Sequence, residues 1–285
     1  MYKIITDSAC DLPASMLEQL QVIAVPLIVN FRGEARTDSV ADAEVNALYH
    51  AMRNGETATT SAVNPDGWTR VIEPVLVAGQ DALVLAFSSG LSTTYQSAVI
   101  AANDLMEQYP HRKVLVVDGR CAALGQGLLV WHMCRQRDAG LSLEELAAWT
   151  EEAKYRTAHW FTVDDLVYLK RGGRVSAATA VLGAMLNIKP VLHVDDEGHL
   201  ISVVKARGRK AAVDTLVKKY DETCDAQSTE MVFICHADCL QDAQRLKAQM
   251  LQRGVKEVFI GNLGAVIGSH AGPGTLALFF MGKHR

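Results

Sequence analysis

At 285 residues, 49% of them hydrophobic and 21% charged, the chain can bury a large core, and this composition excludes large-scale disorder. Twenty-eight Lys and Arg stand against 32 Asp and Glu, a formal charge of -4 that excludes a broad electrostatic footprint for nucleic acid. No apolar run approaches the ~20 residues of a spanning helix, and the sequence opens on a strand pattern, so the cytoplasm is the expected compartment.

In chain order, Tyr2-Lys3-Ile4-Ile5 reads as a strand and Asp11-Leu12-Pro13 as a helix start, with Asp near the cap and Pro near the first turn. Apolar runs at 22–29, 82–87 and 113–117 are further strands, separated by amphipathic stretches. That alternation predicts a mostly parallel sheet with helices packed on it. Gly125 and Gly127 suit close packing of the next helix on the sheet. Ser142 and Glu145 stand at capping-box spacing.

The texture changes near residue 158, so two α/β domains are expected, 1–157 and 158–285. Gly172 and Gly173 suit a helix end. An apolar segment follows at 177–186, and the runs 191–194 and 200–204 flank a polar, Gly-containing turn, the pattern of a hairpin in a mixed sheet. Residues 213–220 and 242–252 have helical spacing, and 231–234 and 258–260 read as strands.

The richest local signal is Ser88-Ser89-Gly90-Leu91-Ser92-Thr93-Thr94 directly after a strand. Such a turn can aim hydroxyls and backbone N–H groups at an anion; equally, Ser92 or Thr93 can simply cap the helix that follows. Thr59-Thr60-Ser61, the basic run at 205–210 and the glycine-rich run at 268–274 are of the same kind. Ser92 or Ser269 with His270, oriented by Asp7, Asp118 or Asp164, would be the parts of a hydrolase, but the chain has no Gly-x-Ser-x-Gly elbow. It also lacks a P-loop, and Gly125-Gln126-Gly127 lacks the third glycine of a dinucleotide fingerprint, so no nucleotide cofactor is indicated. The cysteines, Cys10, Cys121, Cys134, Cys224, Cys235 and Cys239, are expected to be reduced, and Cys235-His236-Ala237-Asp238-Cys239 has no second ligand pair for a metal.

In order and identity, Thr6-Asp7-Ser8, Asp11-Leu12-Pro13, Thr60-Ser61, 88–98, 161–174, 186–192, 206–210 and 266–275 match a known pattern over nearly the whole chain. The chain resembles the DegV family of bacterial fatty-acid-binding proteins, which includes the acyl-carrying subunits of the two-component fatty acid kinase. The resemblance implies two interleaved α/β domains with a long-chain fatty acid between them. Thr60 and Ser92 would bind the carboxylate, Ser61, Ser269 and His270 would lie in or beside that network, and Arg207 would contribute charge. The apolar segment at 177–186 would line the acyl chain or serve as an ordinary core helix. Thr93 stands where the family commonly has Gly, and Asp118-Gly119 and Ala123 where it often has Ser.

The implied function is non-catalytic: holding a fatty acid in a buried tunnel and presenting its carboxylate to a separate ATP-dependent kinase subunit. Lys170, Arg171 and Arg174 form a basic group that either docks that subunit or simply sits beside a helix C-terminus, where positive charge is favourable. Transient membrane contact would serve lipid exchange, and a Ser/His hydrolase acting on acyl compounds is the alternative. Burial of about 14 methylenes at ~0.8 kcal/mol each gives a gross gain of about 11 kcal/mol, against about 1 kcal/mol for a hydrogen bond. On that arithmetic the tail retains the ligand and the hydroxyls orient it.

Overall fold

The structure is a computed structural model that describes residues 2–175 and 187–285. The first half runs β1 (Tyr2–Asp7), α1 (Ala14–Gln19), β2 (Ile23–Val25), β3 (Ile28–Phe31), β4 (Glu34–Thr37), α2 (Asp42–Arg53), β5 (Thr59–Ser61), α3 (Pro65–Val77), β6 (Asp81–Ala86), α4 (Thr94–Gln108), β7 (Val114–Asp118), α5 (Ala123–Asp138) and α6 (Leu143–Ala153). It continues through β8 (Thr157–Thr162), α7 (Val167–Arg171), β9 (Ile188–Val194), β10 (Leu200–Arg207), α8 (Gly208–Thr223), β11 (Met231–His236), α9 (Leu240–Gln252), β12 (Glu257–Asn262), α10 (Ala265–Ala271) and β13 (Leu276–Met281). The apolar segment at 177–186 lies outside the described residues.

The expected parallel sheet is present, in the order β2-β1-β6-β7 with every pair parallel. Its central strands are buried on both faces along most of their length, which is why β6 reads as a continuous apolar run from Ala82 rather than as alternation. The run at 22–29, expected as one strand, is two. Pro26 has no amide hydrogen to give a ladder, and it separates β2 in this sheet from β3, which joins an antiparallel sheet in the order β4-β3-β5.

The helix start at Asp11 is also displaced. Asp11 itself is left-handed (φ 55°) and buried, and α1 begins only after Pro13, without a side-chain cap. The capping box at Ser142 and Glu145 forms as expected. So does the hairpin of β9 and β10, whose turn closes with the Asp195 amide donating to the His199 carbonyl at 3.0 Å.

The second sheet, in the order β10-β9-β8-β13-β11-β12, is mixed: β11 and β12 are parallel and the other pairs antiparallel. It divides two cores. Leu276, Leu278 and Phe280 of β13 pack with α8 and α9, whereas Ala277 and Phe279 face the first half of the chain. Between the two sheets runs α5, buried along nearly its whole length from Ala123 to Cys134.

Close approach explains its glycines. A Cβ on Gly125 would lie 2.1 Å from His159 Nε2 of β8, and one on Gly127 would lie 2.6 Å from the Cys10 carbonyl oxygen. Replacing Gly125 by Ala is therefore expected to destabilise the protein by about 1–3 kcal/mol through overpacking, read as a lower urea midpoint. An unchanged midpoint would show that the contact is slack.

Candidate functional site

A cavity of about 490 Å³ lies between the turn after β6, the short strand β5, helix α10 and the inner face of the second sheet. This is within the ordinary range for small-molecule sites, roughly 300–1,000 Å³. Most of its wall is apolar: Phe161 from β8, Ala277 and Phe279 from β13, Leu169 from α7, Leu263 and Val266 around the start of α10, and Val194 and Leu200 from the hairpin.

Among the polar residues that line this cavity, Thr60, Ser92, Arg174 and His270 come from four separate parts of the chain. Thr60 is placed by pairing with Val29 across β3 and β5. Its Oγ1 lies 2.7 Å from His270 Nε2, joining residues 210 positions apart. His270 sits in the last turn of α10, so the glycine-rich run begins inside a helix. Gly268 permits that helix, since a Cβ there would lie 2.2 Å from the Tyr49 hydroxyl, itself donating to the Leu263 carbonyl at 2.6 Å.

The Ser88 turn closes on itself, with the Leu91 and Ser92 amides donating to the Ser88 carbonyl at 3.0 and 3.1 Å. Ser92 Oγ accepts the Thr94 amide at 3.2 Å and lies 2.8 Å from Thr94 Oγ1. Ser92 thus serves the start of α4 and faces the cavity as well. Thr93 has φ -81°, a conformation open to any residue, so its replacement of Gly leaves the turn unstrained. Asp118 braces the neighbouring loop by accepting the Ser89 amide and hydroxyl and the Arg120 guanidinium.

Arg174 is placed differently from the other two basic residues. Expected on a docking surface, it turns inward after Gly173 (φ 70°), donates from Nε to the Leu91 carbonyl at 3.2 Å and from Nη1 to the Gly172 carbonyl, and lines the cavity. Lys170 and Arg171 stay on the surface, the latter over the Tyr168 ring.

Ser61, Ser269 and Arg207 do not line the cavity. Ser61 is exposed on the opposite side of β5 from Thr60, and its hydroxyl accepts a hydrogen bond from Asn30 Nδ2 at 3.2 Å. Ser269 is buried with its hydroxyl donating to the Ala265 carbonyl at 2.7 Å, and Arg207 is exposed at the end of β10. Neither Ser269 nor Ser92 is hydrogen-bonded to His270, so the Ser/His pair of a hydrolase is not assembled; the hydroxyl that meets the imidazole is that of Thr60. Nor do the described residues hold a group of three or more His, Cys, Asp or Glu suited to a metal.

Burial, and secondarily the Arg174 charge, push the His270 imidazole down to about 4. It is neutral at pH 7. A second histidine in the wall, His159, is fully engaged: Nδ1 pairs with the Thr157 carbonyl at 2.8 Å and Nε2 accepts the Ala122 amide at 3.3 Å. Those partners assign its tautomer, and burial holds it well below the ordinary range, so it remains neutral.

The sequence reading missed the alternating wall formed by Thr275, Ala277 and Phe279, and by His159 and Phe161. Its period of two was present, but masked because the other face of each strand is equally apolar.

Residues 1–283 match the family model described as "Uncharacterised protein, DegV family". The chain belongs to the DegV family. A DegV domain-containing protein of Clostridium perfringens is 42% identical over 99% of this chain and 97% of its own length. Among solved structures, a DegV family protein from Thermus thermophilus, described by its fatty acid binding, superposes with a TM-score of 0.88 at 32% identity, covering 99% of both chains. A DegV lipid-binding protein from Thermotoga maritima gives 0.86 at 28% identity, covering 100% of both.

The depressed His270 value has a sign that can be checked. Unfolding returns the imidazole to about 6.5, so the unfolded chain takes up the proton first. The stability contributed by neutral His270 is complete above pH 6.5 and is lost as pH falls towards about 4. Relative to a His270→Asn variant, the wild-type protein should lose stability over that window in chemical denaturation. A difference independent of pH would contradict the neutral, buried assignment.

Proposed function

We propose that this DegV protein binds one long-chain fatty acid in the 490 Å³ cavity, its acyl chain against the apolar wall and its carboxylate at Thr60, Ser92 and His270. The observation that carries this reading is the cavity itself: apolar along most of its wall, with hydroxyl, imidazole and guanidinium groups gathered around the Thr60–His270 contact. Arg174 supplies a positive charge to face the carboxylate, a role the resemblance had given to Arg207. The ligand lies between a first unit, 1–157, and a second, 158–285, interleaved because α10 returns to pack on β3, β5 and α2 of the first.

The protein acts as a carrier rather than a catalyst. Thr93 and Gln96 line the cavity and are exposed, so the carboxyl end lies beside solvent, where a separate kinase subunit can reach it for acyl phosphate formation. Lys170 and Arg171 remain available to dock that subunit. No helix among the described residues can cross a membrane, which fits a cytoplasmic carrier that meets the membrane only to exchange lipid.

Removing a single head-group hydroxyl should weaken the ligand without releasing it. Ser92→Ala is expected to lower fatty acid affinity about ten- to a hundredfold in calorimetric titration, as for one hydrogen bond to a charged acceptor, with stoichiometry kept at one. Complete loss of binding in a folded Ser92→Ala protein would overturn this division between tail and head. In a reconstituted kinase reaction, Arg171→Glu should slow acyl phosphate formation while leaving lipid affinity unchanged. Equal rates for variant and wild type would remove the docking assignment.

A further inference from the structure

Thr6-Asp7-Ser8, part of the sequence pattern, touches no part of the cavity. Its hydrogen bonds nevertheless lead to all three proposed carboxylate-binding side chains. Ser8 Oγ donates to Asp38 Oδ2 at 2.8 Å and accepts the Leu27 amide at 2.9 Å. The Leu27 side leads directly into β3, whose Val29 pairs with Thr60. On the other side, Asp38 Oδ1 accepts the Val266 amide at 2.9 Å, in the first turn of α10, the helix that ends beside His270. Both partners in the 2.7 Å Thr60–His270 contact are therefore tied to one serine hydroxyl.

Asp7 holds the third group. Its buried carboxylate accepts the Phe87 amide at 2.7 Å through Oδ2, and the Ala9 amide and Gln126 Nε2 through Oδ1. Phe87 is the residue from which the Ser88 turn starts, so this bond fixes where β6 stops and the turn carrying Ser92 begins. Gln126 is in turn held through Thr6, whose hydroxyl donates to the Leu85 carbonyl at 2.8 Å.

We propose that Asp7 and Ser8 are positioning residues for carboxylate recognition: Ser8 sets the spacing of Thr60 and His270, and Asp7 sets the Ser92 turn against them. The proposal rests on the fatty acid reading of the cavity. Its physical basis is geometric, since charge-assisted hydrogen bonds weaken steeply with misalignment, whereas apolar contact with an acyl tail is non-directional. Disturbing Ser8 should therefore cost recognition of the carboxylate selectively.

The test compares binding of a long-chain fatty acid with that of the fatty alcohol of the same length, which shares the tail and lacks the carboxylate. In Ser8→Ala the acid should bind about tenfold more weakly and the alcohol within about twofold of wild type, with Ser8→Thr restoring the acid. A residue that merely stabilised the fold would lower the melting temperature and leave the acid-to-alcohol ratio at the wild-type value. That result would overturn the proposal. If Ser8→Ala does not fold, Asp38→Asn reads the same ratio, because it keeps an acceptor for Val266 and removes the acceptor of the Ser8 hydroxyl. Wild-type protein that bound neither ligand would instead overturn the fatty acid reading itself.

Discussion

The two sheets can share one cavity only because α5 is buried between them and comes close enough to both. A helix in that place cannot be amphipathic, and residues from Ala123 to Cys134 are buried almost without interruption. Gly125 lets it meet His159 on β8, and Gly127 lets it meet the Cys10 carbonyl beyond β1. The start of the same helix supplies wall: Ala122 and Ala123 line the cavity, and the Ala122 amide is the donor that occupies His159 Nε2. Without that donor, an imidazole acceptor would stand unpaired in an apolar wall, at a desolvation cost of about 1–3 kcal/mol.

From this packing follows a separation of tasks within the cavity. The wall contributed by β8 and β13 offers area, and area is what retains an acyl chain. The polar end offers direction. Its histidine is kept neutral by burial and by Arg174, so the positive charge there belongs to the guanidinium, which cannot lose it. Thr60 and His270 meet across 210 residues of sequence, and the chain brings them together with a three-stranded sheet on one side and a short helix on the other.

Much of this frame is legible in the sequence, for reasons that differ by element. The parallel strands announce themselves as short apolar runs, and the capping box and hairpin turn depend on local chemistry that spacing reveals. The split at Pro26 was visible in principle, since proline rarely interrupts a single strand. Long-range closure was not. Nothing local indicates that Arg174 turns back to the Leu91 carbonyl, that Ser269 spends its hydroxyl on the preceding turn of its own helix, or that the 268–274 run is largely helical around Tyr49. Motif identity pointed to Thr60 and Ser92; the paths through Ser8 and Asp38 that bring their surroundings into register appear only in three dimensions.

A fatty acid held tightly in the cavity should accompany the protein through purification. Mass spectrometry of the organic extract from denatured, purified protein, calibrated against protein concentration, tests this most directly. A long-chain fatty acid is expected at close to one per chain. Protein that yields no lipid, and takes up none when a long-chain fatty acid is supplied in excess, would contradict the fatty acid reading.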